Sequence, residues 1–167
     1  YNKINGGSSA YFICHRNSYY KSHTSKINKI INQEIKYGIK KISTYKNFKK
    51  KIDLLKNRLN LLINNLVRDG KVIHGYAAST KGNILLQYLN LNNKQIKFIS
   101  DRNPKKSGLY TPGSKIKIIT EKESRKMKPD YYLVLAWHFR REILLREKEL
   151  RRKGTRFLFP LPTINVV

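Results

Sequence analysis

Residues 72–91 read VIHGYAASTKGNILLQYLNL, an apolar run that passes through a small-residue, glycine-bearing loop into a helical pattern. The spacing predicts a strand over 72–76 (VIHGY) and a helix over 82–89 (GNILLQYL). The same alternation then repeats. Strands are expected over 96–101 (IKFISD), 131–137 (YYLVLAW) and 156–160 (RFLFP), and helices over 121–127 (EKESRKM) and 139–153 (FRREILLREKELRRK). Between Asp101 and Glu121 lies the irregular segment RNPKKSGLYTPGSKIKIIT, whose KIKII can add a short strand.

Near-continuous apolar strands alternating with helices call for a parallel sheet covered on both faces and joined by right-handed crossovers. The fold class expected is therefore α/β, a Rossmann-like three-layer parallel sheet over 71–167. Residues 1–70 are expected to precede it as a strand and a helical arm of the same structural domain.

In that arm, SAYFIC (9–14) is short and apolar and suits a strand, and NSYYKSHTS (17–25) reads as a loop. Ile27, Ile30, Ile31 and Ile35 then recur at helical spacing until Gly38. Ser43 or Thr44 can cap a second helix whose positions Phe48, Ile52, Leu55, Leu59, Leu62, Ile63 and Leu66 step by three and four up to Gly70. That stripe covers about three heptads, the lower limit for a coiled coil, so packing on its own or a neighbouring domain is the reading preferred.

With 167 residues and 40% hydrophobic content, the chain has the size and core material of one ordinary domain, or of one domain with an arm. Its formal charge is +26. Such a charge suits an anionic partner, and a basic nucleic-acid-binding module is the alternative it raises. Against this, Lys, Ile and Asn are in joint excess and the basic residues are scattered, so compositional drift explains the charge better and nucleic acid is not the expected partner. Lys49, Lys50 and Lys51 read as a solvated helix face.

The single cysteine, Cys14, excludes an internal disulfide framework and a CxxC metal site, and in YFIC it reads as a buried packing residue. No stretch approaches eighteen apolar residues, so no membrane span is expected and the chain reads as cytoplasmic. The sequence opens at Tyr1 rather than Met, as a piece of a longer chain would.

Ligands of such sheets bind outside the carboxyl ends of the strands, which singles out GYAASTKGN, DRNPKKSGLYTPG, WHF and FPLP. The first is neither a P-loop, because Lys81 precedes Gly82, nor GxGxxG, because Ala77 stands at the second position. Phosphate binding at the helix start and plain strand-to-helix punctuation both remain open. Asp101 stands where a dinucleotide fold puts an acid on a ribose, and equally where a turn residue caps Asn103-Pro104. Lys105, Lys106 and Tyr110 can clamp a phosphate and stack on a ring. His138 can act as acid, base or donor, although a lone histidine is commonly structural. His15, His23 and His74 have no metal-site spacing, and no Ser-His-Asp set can be argued.

Taken in order, GYAASTKGN, DRNPKKSGLYTPGSKIKI, KPDYYLVLAWHFRREI and KGTRFLFPLP resemble the C-terminal domain of S-adenosylmethionine-dependent sugar C-methyltransferases, which act on nucleotide-linked deoxy-keto-sugars. INGGSSAYFICH and QEIKYGIKKISTYKNF are similar to the start of the same domain. The resemblance implies a substrate-binding set of Tyr76, Ser79, Lys81, Gly82, Asn83, Asp101, Arg102, Asn103, Pro104, Lys106, Tyr110, Pro112, Gly113, Trp137, His138 and Glu142. It implies no catalytic residue in this chain, His138 being the one candidate, and no metal.

In the full enzyme the resemblance implies a zinc-binding domain and a middle domain that holds S-adenosylmethionine and the general base. These would be partners in the same polypeptide or complex, with the nucleotide sugar lying between the middle domain and this one. The chain alone would then bind without methylating. A freestanding nucleotide-binding Rossmann-like domain is the further alternative. Four positions depart from the family pattern: Ala77 replaces the second Gly of GYGA, Ala136 a Pro, Thr155 the second Gly of the last turn, and Ala10 a basic residue whose positive contact is lost.

Overall fold

A computed structural model describes residue 2 and residues 7–167. Residues Tyr1–Leu54 and Leu55–Val167 form two compact units.

The first unit contains α1 (Thr24–Tyr37) and the start of α2 (Ile42–Arg68). Gly38 ends α1 at φ 73°, a left-handed conformation in which its N–H can reach back to the last carbonyls of the helix. Thr44 does not cap α2, which already begins at Ile42; its hydroxyl donates to the Gly38 carbonyl at 2.8 Å and ties the turn together. The strand expected over 9–14 does not form. Phe12 and Ile13 are almost wholly exposed and, among the described residues, no partner strand meets them; an apolar run keeps strand geometry only when neighbours satisfy its backbone. Cys14 is correspondingly exposed rather than buried.

The second unit is the α/β body. Strands β1 (Ile73–Tyr76), β2 (Ile99–Asp101), β3 (Ile118–Thr120), β4 (Tyr131–Val134), β5 (Arg156–Phe159) and β6 (Asn165–Val166) form one sheet in the order β3-β2-β1-β4-β5-β6. β1 to β5 pair in parallel; β6, which sequence reasoning did not foresee, returns antiparallel along β5. β1 and β4 are neighbours in space and distant in sequence. The strand order reverses between them, which opens a crevice at their carboxyl ends.

Side chains alternate across the sheet as the pleat requires. Ile73, Ile99, Leu133 and Leu158 face a cluster completed by Leu59 and Ile63 of α2 and by Leu85 and Leu86 of α3 (Thr80–Tyr88). Tyr76, Tyr132, Val134, Phe157 and Phe159 face the other way, onto Ile143 and Leu144 of α5 (Arg140–Arg146) and Leu150 of α6 (Lys148–Arg152). α4 (Glu121–Lys126) covers the same side, held by a capping box between Thr120 and Glu123. Its Ser124 is buried and bonds both His74 Nδ1 and the Tyr132 hydroxyl at 2.8 Å. The body is therefore three-layered, as expected.

The helix expected over 139–153 is broken into α5 and α6 at Glu147, and a single 3-10 turn over Trp137–Phe139 replaces the end of the strand expected over 131–137.

Candidate functional site

The loop after β1 is shaped by contacts that its small residues permit. Ala77 takes φ 71°, a left-handed conformation that turns the chain sharply out of the strand. Ser79 caps α3, its hydroxyl accepting the Gly82 N–H at 3.0 Å and donating to the Leu135 carbonyl at 3.1 Å. Gly82 lies so close to the end of β4 that a Cβ on it would sit 2.6 Å from Leu135 Cβ. Two loops from opposite sides of the strand-order reversal are thus fastened together.

Asp101 performs the equivalent task at the end of β2. One carboxylate oxygen accepts the Ala78 N–H at 2.7 Å and the other the Asn103 N–H at 2.8 Å, while Lys106 Nζ reaches the first at 3.3 Å and the Ala78 carbonyl at 2.9 Å. Asn103 caps the short 3-10 turn Pro104–Lys106. The turn-capping role foreseen for Asp101 is present.

Between these loops and α5 lies a cleft of about 400 Å³. Of the residues expected at the site, Tyr76, Ser79, Asp101, Arg102, Lys106 and Glu142 line it. Arg102 is exposed and, among the described residues, makes no hydrogen bond or ion pair.

Others gather elsewhere along the same edge. Lys81 is near enough to His138 that its charge, after burial, lowers the imidazole pKa and favours the neutral ring. His138 Nδ1 and the Asn83 Oδ1 are buried without a hydrogen-bond partner among the described residues, and such polar atoms commonly mark a ligand or water position. Trp137 stands edge-on to His138. Pro112 and Gly113 pack on α3: Gln87 Nε2 donates to the Pro112 carbonyl at 3.1 Å, and a Cβ on Gly113 would strike the Gln87 side chain. Tyr110 is exposed on the same loop, where it bridges Lys117.

Arg146 also lines the cleft, and it belongs to a cluster behind the cleft wall that sequence reasoning missed. Behind Tyr76, the Glu147 carboxylate is buried, 3% exposed, and its Oε1 accepts the Tyr76 hydroxyl at 2.7 Å, Arg125 Nη2 at 2.6 Å and Arg146 Nε at 3.3 Å. Arg125 and Arg146 both reach Glu121 as well. Burial alone would raise the Glu147 pKa, yet the hydrogen bonds from Arg125 and Tyr76 and the two positive charges hold it below the usual carboxylate value. Burial, followed by the bond to Glu147, pushes the Tyr76 phenol well above its ordinary value, so Tyr76 is a neutral donor and not a base. One signal was available: Ile143, Glu147 and Leu150 fall at helical spacing, which places an acid in an apolar stripe.

The arrangement can bind and orient a polar, anionic small molecule at the reversal point of the sheet. Among the described residues no group of three or more His, Cys, Asp or Glu converges as a metal site, and no helix is long and apolar enough to cross a membrane.

The chain is matched over residues 3–162 by the family model for the C-methyltransferase C-terminal domain. It is 36% identical over 138 residues to the C-methyltransferase NovU of Streptomyces niveus, a match covering 83% of this chain and 33% of NovU. It therefore spans about a third of that relative's length. The fold, the ordered loops at its carboxyl edge and these similarities agree, and the chain belongs to the C-methyltransferase C-terminal domain family.

Proposed function

We propose that this chain is the substrate-positioning part of a C-methyltransferase that acts on a nucleotide-linked deoxy-keto-sugar, and that it forms one wall of the cleft holding the sugar nucleotide. The observation that carries this reading is the convergence of Tyr76, Ser79, Asp101, Arg102, Lys106 and Glu142 on one cleft at the β1–β4 reversal, in a chain of this family. Open α/β sheets bind nucleotides at such a place.

The wall offers polar groups suited to a nucleotide sugar: Arg102 and Lys106 donate to phosphate oxygens, and the Ser79 hydroxyl and the Glu142 carboxylate can pair with sugar hydroxyls, the carboxylate as acceptor. A cluster along the same edge, with Lys81, Asn83 and His138, extends the polar surface. The neutral His138 ring is suited to one hydrogen bond with a sugar oxygen. Holding the sugar in one orientation fixes which carbon faces the methyl donor, and positioning of this kind supplies much of the rate in a two-substrate reaction.

When bound elsewhere in the enzyme, S-adenosylmethionine supplies the electrophilic methyl group. The donor, the general base and zinc are assigned in this reading to other domains of a cytoplasmic enzyme. The described residues here contain no donor set for zinc.

Calorimetric titration of nucleoside diphosphates and nucleotide sugars into the chain tests the reading, with Lys81→Ala and Asp101→Ala as controls. Binding is expected for the wild-type chain and loss of affinity for both variants. Absence of any nucleotide binding, even with the methyltransferase domain added, would sink the proposal.

A further inference from the structure

Arg146 ends α5 and lines the cleft with its side chain 35% exposed. One edge of its guanidinium is fully employed. Nε donates to Glu147 Oε1, and Nη2 donates to Glu121 Oε1 at 2.9 Å and to the Tyr76 hydroxyl. The guanidinium carbon also sits over the Tyr76 ring, 5.5 Å from its centre. Nη1 takes part in none of these bonds. A guanidinium has five N–H donors in a rigid plane, so fixing Nε and Nη2 leaves the Nη1 pair held at a set direction.

Most exposed arginines lose considerable rotamer freedom when they grip a ligand. Arg146 has lost that freedom already, because a buried carboxylate behind it and Glu121 beside it hold one edge. Arg125 also bonds both Glu147 and Glu121, so two cations share two acids; what Arg146 keeps for a ligand is its Nη1 pair of donors rather than an unbalanced charge. Across the cleft, Asp101 has both oxygens turned to backbone donors, and Arg102 stands without a protein partner among the described residues. The donors left in the cleft, on Arg102 and Arg146, stand against one further carboxylate in the lining, Glu142.

We propose that Arg146 is an anion anchor of this cleft, its Nη1 edge meeting the diphosphate of a nucleotide-linked ligand, and that Glu147 is the positioning residue that aims it. The assignment of the anion to a nucleotide rests on the function proposed above. The anchor itself rests on the geometry of Arg146.

Calorimetry with uridine diphosphate, thymidine diphosphate, the two bare nucleosides and inorganic pyrophosphate tests the inference on the wild-type chain, R146Q, R146K and E147Q. K148Q, an exposed neighbour outside the cleft, controls for the change in net charge. R146Q is expected to weaken diphosphate binding by about tenfold or more, the size of one lost hydrogen bond to a charged group, and K148Q by less than about twofold. R146K keeps the charge but cannot serve the network and the ligand at once, so it falls between the two.

E147Q is expected to lower the preference for diphosphate over bare nucleoside. A purely structural residue would lower the melting temperature without moving that ratio. Equal diphosphate affinity in wild type and R146Q overturns the anchor and leaves the nucleotide reading standing. If R146Q does not fold, an unchanged affinity in R146K overturns it instead. Arg146-dependent binding of pyrophosphate, with no preference for either nucleotide, keeps the anchor and removes the nucleotide reading.

Discussion

Asp101 Oδ2 accepts the Ala78 N–H at 2.7 Å, so the residue that closes β2 holds the turn that leaves β1. Its other oxygen holds Asn103, and Lys106 closes over the pair. An acid at this place in the sequence suggests contact with a ribose. The structure shows it organising the loops around the cleft.

Asp101→Ala removes three hydrogen bonds to a buried carboxylate, from Ala78 N–H, Asn103 N–H and Lys106 Nζ, and leaves the two backbone donors without this acceptor. Stability is expected to fall by about 2–4 kcal/mol, and by about half as much in Asp101→Asn, which retains one acceptor oxygen. Urea denaturation would show the loss as a lower midpoint at an unchanged slope. A variant within about 0.5 kcal/mol of wild type, the range of an ordinary surface change, would mean that the loops do not depend on this carboxylate.

Gly82 provides a sharper test, because two effects oppose each other there. Inside a helix, Gly→Ala ordinarily adds about 1 kcal/mol. Here the new Cβ would lie 2.6 Å from Leu135 Cβ, an atom with no rotamer freedom of its own, and 3.0 Å from Ser79 Oγ. Overpacking of this kind costs about 1–3 kcal/mol, so G82A is expected to be destabilised on balance and to shift the loop that carries Ser79. A stabilised G82A would show that α3 and β4 are less tightly apposed.

The α/β body was legible because its signal is local. Ile73 to Tyr76 and Tyr131 to Val134 are buried strands read from continuous apolar runs, and α2 shows its buried Leu59 and Ile63 in a clear stripe. What escaped depends on partners distant in the chain. Phe12 and Ile13 have the chemistry of a strand but, among the described residues, no strand to pair with. β6 is two residues long, too short to show a period. Glu147 breaks the long helix, and its three partners lie 1, 22 and 71 residues away. The site divides in the same way: the loop positions were visible as motifs, whereas Arg146 and Glu147 become significant only once Tyr76 stands in front of them.

Thr155 and Ala77 show how departures from a family pattern can be ranked by backbone geometry. In the last turn only Gly154 has a positive φ, and Thr155 fits beside it with its hydroxyl bonded to the Pro129 carbonyl at 3.1 Å. Ala77, at φ 71°, occupies a conformation that glycine adopts freely and alanine adopts at a cost of roughly 1–2 kcal/mol. Glycine also gives the unfolded chain more freedom, which offsets about 0.4–1 kcal/mol. Ala77→Gly is therefore expected to raise stability by about 0.5–1 kcal/mol, measurable by thermal or urea unfolding. A loss of stability would mean that the turn is not left-handed at this residue.

His74 gives the chain a pH dependence whose sign follows from its surroundings. The ring is 1% exposed, edge-on to Phe98 and Tyr132, and bonded through Nδ1 to Ser124, with no carboxylate among its hydrogen-bond partners. Burial lowers its pKa from 6.5 to about 4. Between these two values the unfolded chain binds a proton that the folded chain refuses. The stability associated with the neutral ring is complete above pH 6.5 and is lost as pH falls toward 4, at up to about 1.4 kcal/mol per pH unit. Glu147, whose folded pKa is depressed below 4.5, acts in the same direction but over lower pH, so the two contributions separate. Urea unfolding from pH 7.5 to 4.5 should therefore show a steady loss in the wild type. His74→Gln, which can keep a bond to Ser124 without titrating, should start less stable and lose less over the same range, the remainder coming from His138, whose pKa burial also lowers. A wild-type profile as flat as that of the variant would mean that the folded protein accepts the proton on His74.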